Sequence, residues 1–361
     1  MCELRIEPAG VATAMPLLHW AYTSSQTPVL GFIVVVTEAP DSTTPTVVWN
    51  SGHLSASATS VVYGGSALKP ATVYGWSVSF AGSSSRSSES STSSTSRFST
   101  SPTNWSPTTI WLQGSNYRNQ DQQQQQQQQL SKQPTASFDN IKGTPIPIRH
   151  PTFAYFKRRI KLNAGTTVVS GLLFVGAAET HKLLGSYIFS VNGNTVGIGP
   201  GRSLNQCELG KNVFGNKCTP STTAFDSYDL SSLLNGKGTS TSSSMSGGSR
   251  SPAPAAENEI VLAAQMFAAE SEGQLAAELH LSFSNGSSAV IGADSQWKAY
   301  NATAIFGPVG TAGTQYYVQP HAFMDARRFL GSSGSIDEWK GITFDESSWE
   351  PAACFTAENK Q

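Results

Sequence analysis

The stretch Tyr187–Arg202, YIFSVNGNTVGIGPGR, permits few local structures. Tyr187, Phe189 and Val191 alternate with Ile188 and Ser190, Asn192-Gly193 supplies a turn that tolerates positive φ, and Val196 begins a return strand. The pattern is a β-hairpin, and much of the chain follows the same period of two. EIVLAAQMFA (Glu259–Ala268) reads as a buried strand, and ELHLSFSNGS carries a second hairpin signal at Asn285-Gly286. Between them, FDSYDLSSLLNG (Phe225–Gly236) holds two carboxylates three residues apart ahead of a short apolar run.

Upstream, GFIVVVTEA, PTVVWNSG, TSVVYGG and TVYGWSVSFAG are short runs rich in Val, Tyr, Trp and Phe, bounded by Gly, Pro and Ser. Trp49 and Trp76 fall in two of these runs and Trp20 ahead of them, and all three read as core anchors of a two-sheet sandwich rather than as a sugar-stacking platform. Residues 1–113 are therefore expected to form a first sandwich, closed by Ile110-Trp111-Leu112 and interrupted by an almost pure Ser/Thr loop at 83–96. Residues 114–150 contain eight consecutive glutamines, Gln122–Gln129, and read as a disordered linker. A second sandwich is expected over 151–310, with a Ser/Gly/Pro insertion at 237–257, and a tail over 311–361. In its opening strand, FAYFKRRIKL, the aromatic residues are expected to point inward and Lys157, Arg158, Arg159 and Lys161 to face water. The predicted fold class is all-β: two β-sandwiches joined by a low-complexity linker.

Charge narrows the partners. Lys plus Arg number 23 and Asp plus Glu 24, a net charge of −1, which gives no basis for a nucleic-acid partner. No apolar run reaches transmembrane length, and Cys2, Glu3, Arg5 and Glu7 break up the start, so neither a membrane partner nor a signal peptide is expected. Of the four cysteines, Cys207 and Cys218 alone are near enough in sequence to suggest a local bridge, with free thiols the alternative. Three N-x-S/T triplets occur, at Asn104, Asn285 and Asn301; they matter only on a secretory route. The six histidines lack metal-binding spacing, and GIGPGR lacks the strand-to-helix context of a phosphate loop.

A strand entering VNG, a Val-Gly return, GPGR, then F-D-x-x-D-L-x-x-L-L-x-G and a long apolar strand resembles the N-terminal β-sandwich module of bacterial-type α-L-rhamnosidases. VVWNSG, VVYGG and TVYGWSV resemble the fibronectin type III-like domain that opens many of these enzymes, with Asn50 where an Asp is usual. DSQWKAYNA and the tail elements DAR, EWKG and FDESSWEPA fit the same family, although Pro320-His321 stands where the family has an acid. The resemblance implies a fibronectin-like sandwich followed by a jelly-roll-like one. It also implies an accessory role: the family's carboxylates lie in a helical barrel, this sequence is taken up by two β-domains and a tail, and no catalytic residue is assigned to it.

For carbohydrate binding, the resemblance implies L-rhamnose or a rhamnose-containing glycan as partner, with calcium as a conceivable cofactor; no metal ligands are identifiable. Side chains suited to sugar hydroxyls are Asn192, Asn194, Arg202, Asp226 and Asp229. Each has a plainer explanation. Asn192 is a turn residue, Arg202 on its Gly-Pro loop can pair with a nearby aspartate, Asp229 can cap the Ser-Ser-Leu-Leu segment, and Asp226 can accept backbone amides. The alternatives are the N-terminal fragment of a full rhamnosidase and a structural or adhesion sandwich without sugar affinity.

Overall fold

The computed structural model describes residues 1–21, 29–41, 44–82, 94–103, 108–113, 152–163, 166–179, 186–199, 225–234, 258–268, 273–306 and 324–355. The glutamine tract, the 237–257 insertion, Arg202, Cys207, Cys218, Asn104 and Pro320-His321 lie outside these residues, as does most of the Ser/Thr loop. Among the described residues, no helix is long and apolar enough to cross a membrane, and Cys2 and Cys354 are free thiols.

The Val-rich runs of the first sandwich become β1 (Leu17–His19), β2 (Val29–Glu38), β3 (Thr46–Asn50), β4 (Leu54–Ser55), β5 (Ser60–Val62), β6 (Val73–Gly82) and β7 (Ser96–Ser99). One sheet runs β3-β2-β6-β7 with β4 beside β2, and the other is the antiparallel pair β1-β5. Their period of two sends Phe32, Val34 and Val36 inward with Tyr74, Trp76 and Val78, where they meet Leu18, Tyr63 and Phe98. Trp20 and Trp49 pack against this core, Trp20 tilted on Phe32 at 5.5 Å and Trp49 on Tyr63 at 5.2 Å. All three tryptophans pack into this core as expected, Trp49 and Trp76 from strands and Trp20 from the residue after β1.

The second sandwich contains β8 (Thr109–Trp111), β9 (Thr152–Lys161), β10 (Val168–Glu179), β11 (Ser186–Val191), β12 (Asn194–Gly199) and β13 (Asp226–Asp229). It continues with β14 (Glu259–Ala268), β15 (Gly273–Phe283), β16 (Ser288–Ile291), β17 (Lys298–Asn301), β18 (Glu350–Pro351) and β19 (Ala353–Phe355). One sheet runs β13-β10-β15-β8-β19, with β16 beside β15, and the other β12-β11-β14-β9-β17-β18. Between them lies a core built from Phe156, Leu173, Phe189, Leu262, Met266, Leu279 and Trp297, all wholly buried. The fold is all-β, as expected.

Two local expectations require correction. Ile110 and Trp111, expected to close the first sandwich, instead pair with Leu275, Ala353 and Cys354 and enter the core of the second. The strand is apolar enough to complete either core, and its long-range partners β15 and β19 decide between them. Of the basic residues of β9, Lys161 alone is exposed as expected; Lys157, Arg158 and Arg159 are buried or half-buried. Lys157 is fully buried, because the tail segment from Phe329 to Trp349 folds over the outer face of this sheet. Tyr155 stacks on Trp339 at 4.0 Å, and Trp349 lies against Tyr300, giving the sheet a second, aromatic layer.

The two sandwiches touch through a small apolar contact of Val73 with Leu172 and Phe174, flanked by Ala71 and Phe225. Polar links frame it: Ser227 Oγ donates to the carbonyl of Ala9 at 2.8 Å, and Arg97 bridges Asp41 and Asp229.

Candidate functional site

The central hairpin forms as β11 and β12, with Asn192 at φ 51° and Gly193 at φ 82° making its turn. Asn192 does more than turn the chain. Its backbone N–H donates to the carbonyl of Val261 at 2.8 Å, while its side-chain Oδ1 accepts the Val261 N–H at 2.9 Å, so the turn is stitched to β14. Its Nδ2 is buried and finds no acceptor. Asn194, two residues on, is exposed, and its Nδ2 makes one long contact, 3.4 Å, to the carbonyl of Asn192.

At the other end of the hairpin, β12 passes over β13 at the mouth between the two sheets. Gly197 and Gly199 make this approach possible: a Cβ on either would run into the ring of Tyr228 or Tyr187, respectively. The Tyr187 hydroxyl reaches both the Asp226 carboxylate and the Tyr228 hydroxyl, the latter at 2.9 Å. Burial first, then the Asp226 and Tyr228 hydrogen bonds, raise the Tyr187 hydroxyl far above the ordinary tyrosine value. It is a fixed hydrogen-bonding group at neutral pH and not a proton-transfer group.

Asp229 closes β13. Its Oδ1 accepts the Ser231 N–H at 2.9 Å at the head of the short helix Ser231–Leu234, which is the capping role its position suggested. Its Oδ2 lies 3.4 Å from Arg97 of the first sandwich. Asp226, expected to accept backbone amides, is held instead by the tyrosine hydroxyl.

The five candidate side chains therefore do not form one described cluster. Asn192 and Asn194 sit at the turn, where Val191 pairs with Asn194, whereas Asp226 meets Tyr187, which pairs with Gly199. Five residues of strand separate the two ends, about 16 Å. Arg202 lies outside the described residues. Tyr187 and Tyr228 are the polar groups that sequence reading missed; they occupy strand positions where an aromatic ring reads as core, and only the facing glycines disclose their hydroxyls.

Calcium requires six to eight oxygen ligands. Among the described residues no group of three His, Cys, Asp or Glu stands together. Asp226, Asp229 and Asn192 already spend oxygens on Tyr187, Ser231 and Val261. These residues do not fit a calcium ion.

A second polar cluster lies beneath the tail. Lys157 Nζ donates to the carbonyls of Gly341 and Phe344 at 2.8 and 3.1 Å and stands 3.1 Å from Glu346. Arg159 forks onto both Glu346 oxygens and reaches Glu259 at 2.9 Å. Burial pushes the Glu346 carboxyl up, but the Arg159 hydrogen bonds and the Lys157 charge outweigh it and hold the group below the ordinary glutamate value. Burial lowers the Lys157 ammonium, partly offset by Glu346.

The fold and these clusters define a tandem β-sandwich protein whose described acidic side chains at the sandwich mouth and beneath the tail serve its architecture. Residues 1–104 match the family described as the Rha78A-like, N-terminal immunoglobulin domain. Immunoglobulin and fibronectin type III domains share the antiparallel sandwich, so the family's description replaces the narrower expected one. The chain is similar in fold to α-L-rhamnosidase from Dictyoglumus thermophilum, at 18% identity and TM-score 0.57, over 99% of this chain and 34% of that one. The α-L-rhamnosidase of Aspergillus terreus is similar at 15% identity and TM-score 0.55, again over 99% and 34%. The chain thus spans about one third of the length of each enzyme. No curated protein matches it in sequence. The resemblance to the N-terminal region of α-L-rhamnosidases is borne out.

Proposed function

We propose that this chain is the carbohydrate-recognising, accessory part of an α-L-rhamnosidase-type protein, with terminal L-rhamnose as the ligand class. The observation that carries the reading is the immunoglobulin family match at residues 1–104 together with a fold shared over 99% of the chain with two α-L-rhamnosidases. The engagement of Asp226 with Tyr187, and of Asp229 with Ser231 and Arg97, supports a non-catalytic role for these aspartates: neither is an unencumbered carboxylate facing a cleft.

Asn194, exposed beside the turn, and Arg202 are the candidates left to meet sugar hydroxyls, since Asn192, Asp226 and Asp229 are spent on the fold. Calorimetric titration of the full chain with L-rhamnose, in calcium and in chelator, tests this. Binding weakened at least tenfold by Arg202→Ala or Asn194→Ala is the expected result. No heat at millimolar sugar, in a sample shown to be folded, would leave the chain as a structural or adhesion sandwich.

A second reading is favoured by the coverage: the chain accounts for 34% of each enzyme, as the N-terminal part of a full rhamnosidase would. In that reading a helical barrel elsewhere in the polypeptide hydrolyses terminal L-rhamnose from glycosides. Release of an aryl alcohol from an aryl α-L-rhamnoside by the natural full-length product, and not by residues 1–361 alone, is its expected signature.

A further inference from the structure

Two of the three N-x-S/T triplets fall on described residues, and their surroundings are opposite. Asn285-Gly286-Ser287 forms the tip of the β15–β16 hairpin, closed by the Gly286 N–H donating to Phe283 at 3.0 Å and the Phe283 N–H to Ser287 at 2.9 Å. All three residues of the triplet are exposed. The Asn285 Oδ1 accepts both the Ser287 N–H, at 2.9 Å, and the Ser287 hydroxyl, at 2.7 Å. The amide oxygen and the serine are thus already paired in the local turn that an Asn two residues before a Ser favours, and Nδ2 is left open. Gly286, at φ 81°, has nothing within 4 Å of where a Cβ would stand, so the tip looks out on empty space.

Asn301-Ala302-Thr303 is the reverse case. Asn301 pairs with Ala154 within the sheet and is half-buried, and its Oδ1 caps the helix Thr303–Phe306 by accepting the Thr303 N–H at 3.1 Å. Thr303 Oγ1 accepts from the Phe153 N–H at 3.1 Å, and Ala302 has no exposed surface. A glycan here would have to displace the cap and the strand pairing together.

We propose that Asn285 is an acceptor for an N-linked glycan and that Asn301 is not. In the transfer, Asn285 Nδ2 attacks C1 of the reducing sugar of a lipid-linked oligosaccharide pyrophosphate. The C1–N bond forms, the C1–O bond breaks with its electron pair leaving on the lipid pyrophosphate, and the amide proton passes to a base of the transferring enzyme; nothing is oxidised or reduced. The placement has a physical consequence as well. β16 borders β15 on one side only among the described residues and leaves Val290 59% exposed, so a glycan at the hairpin tip would shield an edge strand from pairing with other chains.

The test is to express the full chain behind a secretory leader in a glycosylating eukaryotic cell, in an Asn104→Gln background that removes the triplet outside the described residues. Gel mobility with and without peptide N-glycosidase, and mass spectrometry of the released peptides, read the result. The expected outcome is one glycan, mapped to Asn285, lost in both Asn285→Gln and Ser287→Ala and retained in Asn301→Gln. Secreted, folded protein without a glycan, or a mobility shift that survives Asn285→Gln and maps to Asn301, overturns the proposal.

Discussion

Lys157 Nζ lies 3.1 Å from Glu346 Oε2, with the lysine wholly buried and the glutamate arriving from the tail of the chain. This contact, with the Arg159 fork beside it, pins the tail segment across the outer face of β9. Truncating one member of a buried ion pair strands the other, at a cost of about 3–5 kcal/mol. Glu346→Ala is therefore expected to lower stability by that order in denaturant melts, while a paired Lys157→Met, Glu346→Leu replacement recovers much of it. A Glu346→Ala loss below about 1 kcal/mol would show that the tail is held by its aromatic layer alone.

The same carboxylate gives a pH dependence. Its folded value is depressed below the ordinary glutamate value of 4.5, so its stabilisation is present above that pH and is lost as pH falls through the folded value. Melting curves of wild type and Glu346→Gln should converge on acidification below 4.5 and separate above it. Curves that stay parallel would sever the link between this group and acid stability.

Strand identity was legible in the sequence because it depends on local alternation: the run read as Glu259–Ala268 is β14 to the residue, and the hairpin at Asn192-Gly193 forms as its turn chemistry requires. The destination of Ile110-Trp111 was not legible, since nothing local distinguishes one apolar core from another. Nor was the burial of Lys157. A strand that opens on aromatic residues and ends on a run of basic ones reads as apolar in and charged out until a distant segment covers the outer face, burying Phe153 and Tyr155 there and supplying carbonyls and a carboxylate to Lys157. At the candidate site, the capping by Asp229 follows from its position before Ser-Ser-Leu-Leu, but the capture of Asp226 by Tyr187 depends on two sheets meeting edge to edge.

Tyr187 ties those edges together. Its hydroxyl bonds to a carboxylate and to Tyr228, and hydrogen bonds to charged groups contribute about 1.5–3 kcal/mol each. Tyr187→Phe should cost about that much, and Tyr228→Phe less. The hydroxyls of Tyr187 and Tyr155 are raised chiefly by burial, and burial pushes Tyr74 up to about 12. An acid with a raised folded value stabilises fully below the unfolded value of 10 and loses that contribution as pH climbs toward the folded one. Stability should therefore fall from pH 10 upward, with these tyrosines remaining un-ionised in absorbance titrations until the protein unfolds.

The glutamine tract offers a test from composition. A segment so polar has no apolar surface to bury, so deleting 116–136 should leave the melting temperature within a degree or two of wild type, on the order of 0.5 kcal/mol. A large drop would show that these residues contribute to one of the sandwiches.

The sandwich junction turns on Gly10. Its φ of +71° lies in the left-handed region, where an L side chain costs about 1–2 kcal/mol, and a Cβ there would stand 2.5 Å from Ser227 Oγ. Gly10→Ala must strain its own backbone and displace the serine that bonds Ala9 across the junction. Because the apolar contact around Val73 and Phe174 is small, losing this polar seam should loosen the two sandwiches before either melts. Calorimetry is expected to show one transition for wild type and two for Gly10→Ala, with the first-sandwich transition moving further than the second. Arg97→Ala, which cuts the bridge to Asp229, should push the same way by a smaller step that shrinks in high salt. A Gly10→Ala protein that melts in one unshifted transition would mean that the junction is held by the apolar contact instead.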